Sequence, residues 1–136
     1  MTDTADAAAE LAIRNLIARM AHAAGSGEIA DYAEMTVADA YWQLPSGDPL
    51  IGHAAILEGA SARRASGAVG PGTGTRHMIT TTWVEVVGDS ARARSHWLFV
   101  GNTATGPVLH LAGSYADTFR RTDAGWRFTK RIASID

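Results

Sequence analysis

The periodicity of the sequence changes at Gly74, and this change constrains the fold more than any other feature. After Gly74, apolar and polar residues alternate with a period of two, the period of side chains along a β-strand. The pattern predicts four long strands, at about 75–87, 91–102, 107–121 and 126–135. Three short glycine-containing turns separate them, as expected of hairpins. The second half is therefore predicted to form an antiparallel sheet.

The first half has the period of α-helices instead. Residues 7–24 carry an apolar stripe with the spacing of one helix face, formed by Ile13, Leu16, Ile17, Met20 and Ala24. A second helix is predicted from Ser26 to Met35 and a third over 52–64, with a short strand at 40–44 between them. Leu50 and Ile51 are expected to pair with that strand. Helices followed by consecutive strands indicate an α+β fold, not a βαβ dinucleotide-binding fold.

The composition fits a small globular protein without special chemistry. Its 136 residues, 46% hydrophobic and 19% charged, suit one domain spanning 1–136. The absence of cysteine excludes disulfides and thiolate catalysis. A net charge of −2 without long charge runs argues against nucleic-acid binding. No apolar run is long enough to span a membrane and the N-terminus does not resemble a signal peptide, so a cytoplasmic location is expected.

Common catalytic and binding motifs are missing. The glycine-rich loop at 66–74 follows a predicted helix and has no Gly-Lys-Ser/Thr sequence, so it does not match a phosphate-binding loop. No two of the five histidines have the spacing of a helical metal-binding pair, and no metal site is predicted. Neither Ser26 nor Ser114 lies in a nucleophile-elbow sequence, which argues against a serine hydrolase.

His77 and Arg131 are the two residues whose positions suggest a site. Strict alternation places His77 on one face of its strand with Ile79 and Trp83, where it is either a general base or a hydrogen-bonded core residue. Arg131 lies among apolar residues of the last predicted strand. If it is buried it needs a ligand or a carboxylate partner, for which Asp117 is the candidate.

Several segments resemble the SnoaL-like branch of the superfamily named after nuclear transport factor 2. They are Leu111–Arg121 with Gly125–Arg131, Ala38–Trp42 and Thr75–His77. The resemblance spans about residues 9–135 and is most specific in the C-terminal hairpin. It implies a cone-shaped, cystatin-like α+β barrel, in which a curved antiparallel sheet encloses three N-terminal helices and a deep apolar pocket. Scytalone dehydratase and hexachlorocyclohexane dehydrochlorinase are the family enzymes with the closest pattern.

The resemblance also implies roles for individual residues. His77 falls at the position of the general-base histidine, and Arg131 falls where the dehydrochlorinase has an arginine that acts on the leaving group. The implied substrate-binding residues are Met20, Trp42, Trp97, Phe99, Asn102 and Tyr115. The sequence departs from the enzymes at three positions. Gly25 replaces the acid that supports the histidine, Met20 replaces a lysine, and Asn102 replaces a second histidine.

These observations lead to one expected function and two alternatives. The expected function is a lyase or isomerase without metal or cofactor, acting on a small hydrophobic molecule through His77 and Arg131. Asp117 is the candidate replacement for the missing acid. The alternatives are a binding protein that has lost its chemistry, or an accessory subunit like the small chain of ring-hydroxylating dioxygenases.

A homodimer or homotrimer is also expected. The interface would be the outer face of the sheet. Alternation assigns to this face Arg92, Arg94, His96, Leu98, Val100, Trp126 and Phe128.

Overall fold

A computed structural model describes residues 4–136 and shows three helices packed against one curved, six-stranded sheet. The helices are α1 (Thr4–Gly25), α2 (Asp31–Met35) and α3 (His53–Ala65). The strands are β1 (Thr36–Gln43), β2 (Leu50–Ile51), β3 (Arg76–Val87), β4 (Ser90–Gly101), β5 (Val108–Thr122) and β6 (Gly125–Ile135). The predicted order of elements is confirmed, with the ends of the four long strands within about one residue of the expected positions.

The apolar stripe of α1 forms the centre of the core. Ile13, Leu16, Ile17 and Met20 are all buried, and they pack in one cluster with β1, α3 and β6. Removing apolar side chains from water is the main driving force for this packing. No helix within residues 4–136 is long and apolar enough to cross a membrane.

The second helix is shorter than predicted, and β1 begins earlier. The backbone N–H groups of Ser26 and Gly27 both donate to the carbonyl of His22, so α1 ends in a tight turn and helix resumes only at Asp31. A Cβ atom at position 27 would lie 2.9 Å from the Ala23 Cα, so this close return requires glycine. The glycines mark the end of α1 in the sequence, but the spacing of Ile29 and Ala33 does not show that helix resumes only at Asp31.

The sheet is open and not entirely antiparallel. Its strand order is β2-β1-β6-β5-β4-β3, so β2 and β3 are the free edges. Every neighbouring pair is antiparallel except β1 and β6, which run parallel. The prediction of an antiparallel sheet is therefore wrong for this one pair. Parallel strands need a long connection, and here the chain between β1 and β6 provides it.

Two β-bulges change which side chains face the helices. In β3 the pairing shifts between Thr80 and Trp83, which turns Trp83 outward with 45% of its surface exposed. In β6 Lys130 pairs with Thr118, but Phe128 pairs with the next residue of β5, so one residue of β6 is left without a partner. Trp126 and Phe128 are consequently buried in the core. Strict alternation had placed all three aromatic residues on the opposite faces, because it does not allow for the extra residue of a bulge.

Candidate functional site

A cavity of about 450 Å³ lies between the helices and the inner face of the sheet. Its size falls in the usual range for small-molecule sites. All three helices and five of the strands or their loops contribute to its wall, which is mostly apolar and aromatic. Pro45, Ser46 and Ala68 lie at the cavity and are exposed, so they mark its solvent side.

His77 is part of the cavity wall, at the start of β3. Its ring lies 4.6 Å from that of Phe99 and 5.7 Å from that of Trp97, measured between centroids. Neither ring nitrogen hydrogen-bonds to any residue within 4–136. Burial, together with the positive charges of Arg131 and Arg63, lowers the pKa of His77 to about 4. The imidazole is therefore neutral at pH 7, and both nitrogens are free to contact a ligand.

Arg131 and Asp117 form a buried ion pair beside the cavity. The Arg131 Nε and Nη2 atoms donate to the two carboxylate oxygens of Asp117 at 2.8 and 2.9 Å. The guanidinium also stacks on the ring of Tyr115, with 3.7 Å from Cζ to the ring centroid. The carboxylate raises the pKa of Arg131 against the opposing effect of burial. The pairing inferred from the sequence is thus confirmed, and the bidentate geometry fixes the position of Arg131.

The ion pair bears on the proposed role of Asp117. Both of its oxygens bind Arg131, and among the described residues it has no hydrogen bond to His77. Asp117 therefore does not replace the acid that is missing at position 25, because it does not hydrogen-bond to His77. Its observed role is to hold Arg131, whose Nη1 atom remains without a hydrogen bond to residues 4–136.

Five of the six predicted substrate-binding residues line the cavity. They are Met20, Trp42, Trp97, Phe99 and Tyr115. Asn102, the sixth, does not line the cavity, so the prediction that it contacts the substrate is wrong. Strand β4 ends at Gly101, and Asn102 has a φ of 51° and an exposed side chain in the following turn. Asparagine is one of the few residues that readily adopt a positive φ, so its place in the sequence reflects the turn.

Some polar residues of the cavity wall were not predicted. Tyr32 on α2 and Arg63 on α3 both line the cavity. Helix periodicity contains the signal for Arg63, because Ile56, Ala60 and Arg63 have the i, i+4, i+7 spacing of one face. An arginine on an otherwise apolar helix face is a candidate for ligand contact, as Arg131 is on its strand.

A second, more polar cleft of about 560 Å³ reaches His77 from the side of α1. Ala21, His22, Gly25 and Ser26 form one wall, and the first residues of β3 form the other. A Cβ atom at Gly25 would have no other atom within 4 Å. Position 25, to which the resemblance assigns the acid of the family enzymes, therefore has free space around it and borders the same cleft as His77.

The residues present do not suggest a metal site. Within residues 4–136 there is no cluster of three or more histidine, aspartate or glutamate side chains that could hold an ion. The cavity wall contains two guanidinium groups and no carboxylate. Its chemistry is that of hydrogen-bond donors and a neutral imidazole in an apolar enclosure.

Comparisons with known proteins agree with this geometry. The family model of the SnoaL-like domain matches residues 5–132. No curated protein matches the sequence. Among solved structures, a nuclear transport factor 2-like protein with a cystatin-like fold from Novosphingobium aromaticivorans is 30% identical. The match covers 99% of this chain and 91% of that one, with a TM-score of 0.78.

Two further structures have more specific names. A protein from N. aromaticivorans that is provisionally assigned as an aromatic ring hydroxylase is 26% identical. That match covers 93% of this chain and 88% of that one, with a TM-score of 0.74. The structure of LinA, a hexachlorocyclohexane dehydrochlorinase, has a TM-score of 0.83 at 23% identity, with coverage of 100% and 91%. At that identity the similarity to LinA establishes the fold alone.

Proposed function

Because the chain belongs to the SnoaL-like family, we propose that it is an enzyme without metal or cofactor, in which His77 takes or relays a proton. The substrate would be a small, mostly apolar molecule, and the reaction an elimination, dehydration, isomerisation or cyclisation. The supporting observation is a neutral imidazole in the wall of an aromatic cavity, near two guanidinium groups. A general base has to be unprotonated, and a developing anion needs nearby donors.

Arg131 has the second role in this proposal. Its Nη1 atom is free to donate to an oxyanion or a leaving group while Asp117 holds the other two nitrogens. Preorganised donors of this kind stabilise charge that develops in the transition state. The stacked Tyr115 and the Trp42 ring, 5.2 Å from Cζ, keep the guanidinium in place.

The low pKa of His77 limits the reactions that it can perform. A base whose conjugate acid has a pKa of about 4 is fully available at neutral pH but has a weak affinity for protons. It suits substrates whose C–H bond is already acidic, such as carbons next to a carbonyl group. The acid limb of the kcat/KM profile is accordingly expected near pH 4, well below the 6.5 of an unperturbed histidine.

Proton abstraction can be tested before the substrate is identified. Exchange of the activated C–H protons of 2-tetralone in D₂O, followed by proton NMR, measures the base directly. We expect the protein to accelerate the exchange and His77→Gln to lower the catalysed rate about 10²- to 10⁴-fold. His96→Gln, on the exposed face of β4, is the matched control and should keep the full rate. Equal rates for the wild type and His77→Gln would refute the role of His77.

A binding protein is the second candidate, and one observation favours it. No carboxylate among the described residues hydrogen-bonds to His77, so its tautomer is not fixed as in a supported general base. Loss of such support can cost several powers of ten in rate. If the wild type binds 2-tetralone without accelerating the exchange, this alternative is preferred.

The accessory-subunit alternative rests on a weaker observation. One similar structure carries the provisional assignment of an aromatic ring hydroxylase, and small chains of ring-hydroxylating dioxygenases share the fold. Copurification of the chain with a larger iron-containing subunit would support it.

A further inference from the structure

Arg63 has an unusual environment for a charged residue. It lines the cavity from the inward face of α3 and is half-buried. None of its nitrogens hydrogen-bonds or ion-pairs with another residue of the described part of the chain, and the Nη1 atom is shielded from solvent without any partner. The neighbouring Arg64 donates to the carbonyl groups of Ala23 and Gly27, as structural arginines commonly do.

The charge of Arg63 is not balanced within the cavity. Asp117 compensates Arg131, and no other carboxylate belongs to the wall or lies directly behind it in an ion pair. The site therefore carries one excess positive charge. Removing a cation from water without a counter-ion or hydrogen-bond acceptor is costly, so a wall built in this way is suited to an anion.

Trp97 is a second residue of the cavity wall with an unpaired donor. Only 4% of its surface is exposed, it lines the same cavity, and its indole Nε1–H has no acceptor among the described residues. Buried donors of this kind are usually satisfied. The Nε1 atom has almost no accessible surface in this structure, so a ligand would reach this N–H only after the indole ring shifts.

We propose that Arg63 anchors an anionic oxygen, carried by a carboxylate or an ionised phenol, on an otherwise flat and apolar ligand. The inference rests on the proposed function in using the same cavity, and it specifies the class of its substrate. The rings of Trp42, Phe99 and Tyr115 would pack against the apolar body. The anion would also supply, from the ligand, the negative charge that is missing beside His77.

A matched pair of ligands tests the charge requirement. 2-Naphthoate is ionised at pH 7, and 2-naphthamide has nearly the same shape without the charge. Isothermal titration calorimetry should show that the wild type binds the acid more tightly than the amide. Arg63→Gln should weaken binding of the acid about 10- to 100-fold, the range for a hydrogen bond to a charged group, and leave the amide unchanged.

Two further variants complete the design. Arg63→Lys keeps the charge and should retain part of the preference for the acid. Arg19→Gln removes one positive charge from an exposed site on α1 and should leave both affinities unchanged. Urea unfolding of each variant establishes that it is folded.

The proposal is overturned if the wild type binds the acid no more tightly than the amide, which includes binding neither. It is equally overturned if Arg63→Gln keeps the wild-type preference. These measurements need no turnover, so they are independent of the exchange assay on His77. If His77→Gln exchanges as fast as the wild type but the preference for the acid depends on Arg63, only the base role is refuted. If exchange depends on His77 but the preference for the acid does not depend on Arg63, only the anion anchor is refuted.

Discussion

At the scale of single residues, the environment of His77 determines its charge. Burial contributes most to the lowering of its pKa, followed by the positive charges of Arg131 and Arg63. Tyr115 and Tyr32 line the same cavity, while His22 lies across the second cleft. Asp117 on β5 pairs with Arg131, but among the described residues no carboxylate forms an ion pair with Arg63 or a hydrogen bond with His77. Because folding lowers the pKa of His77, protonation of this residue is coupled to the stability of the folded state.

This coupling predicts how stability depends on pH. Between pH 6.5 and about 4 the unfolded chain takes up a proton at position 77 that the folded chain does not, so stability falls as the pH falls through this window. The full effect is about 3 kcal/mol. His77→Gln has no group that takes up this proton. The difference in unfolding free energy between the wild type and this variant should therefore change by about 2 kcal/mol between pH 7 and pH 4.5.

Urea unfolding at the two pH values measures this difference. His96→Gln serves as the control for the general effect of losing a histidine from the sheet. The coupling is disproved if the gap between the wild type and His77→Gln is the same at both pH values.

Gly25 allows the missing acid to be restored. Gly25→Asp meets no atom within 4 Å of its Cβ, and the backbone there does not have a positive φ. The new carboxylate would share the cleft with His77 and should raise its pKa by about 1–3 units. An aspartate at the end of α1 opposes the helix dipole, so a loss of about 0.3–1 kcal/mol in stability is also expected.

NMR titration of the imidazole Hε1 signal measures the pKa. Gly25→Asn has nearly the same shape without the charge, and it should leave the pKa of His77 close to its value in the wild type. Identical pKa values in the aspartate and asparagine variants would show that position 25 does not act on His77.

Much of the site was accessible from the sequence at this scale. The positions of His77, Arg131, Trp97 and Tyr115 follow from alternation combined with the family resemblance. The lack of a carboxylate beside His77 did not follow, because alternation assigns Asp117 to the cavity face. Only the structure shows that Asp117 is not part of the cavity wall and that both of its oxygens bind Arg131.

At the scale of elements, α3 is held to the end of α1 by one side chain. Arg64 donates through Nη2 to the carbonyl groups of Ala23 and Gly27, which lie at and just after the last turn of the helix. The Ala23 carbonyl is among those that a helix leaves unsatisfied at its C-terminus. The contact also fixes α3 so that the adjacent Arg63 faces the cavity.

Loss of this contact should destabilise the protein. Arg64→Gln is too short to reach both carbonyl groups, and we expect a loss of about 1–3 kcal/mol in unfolding free energy. Urea denaturation measures it, with Arg19→Gln on the exposed face of α1 as the matched control. If both variants lose the same small amount, the contact does not hold α3 to α1.

The strands show where alternation fails as a guide. In β3 and β6 each bulge inserts an unpaired residue, which exchanges the two faces for the remainder of the strand. Trp83 therefore lies outside, while Trp126 and Phe128 lie inside. A bulge is stabilised by contacts between strands, so a single strand's sequence carries no reliable sign of it.

At the scale of the whole molecule, the outer face of the sheet is the surface available for assembly. Met78 and Trp83 are 48% and 45% exposed there, and Arg92 lies over the Trp83 ring with its Cζ 5.6 Å from the centroid. Leu109 on β5 pairs with Val100 of this face and is 58% exposed. The homodimer or homotrimer stays a prediction, and its expected interface now includes Trp83 in place of Trp126 and Phe128.

Multi-angle light scattering after gel filtration tests this prediction. A mass of two or three chains is expected at micromolar concentration, and Trp83→Glu should shift the mass towards one chain by placing a charge at an apolar interface. Arg19→Glu, at an exposed position of α1, is the control and should not change the mass. A wild-type mass of one chain would contradict the assembly.

The sequence by itself determined the order of elements, the class of fold and the family, because these depend on local periodicity and on motifs within single segments. The tertiary structure decided the parallel pairing of β1 with β6, the side chains of β3 and β6 that face the core, and the charge state of His77. It also brought Arg63 from α3 to the sheet residues His77, Trp97 and Arg131 at one cavity. These features depend on contacts between segments far apart in the chain, whose strength is set by distance and burial in three dimensions.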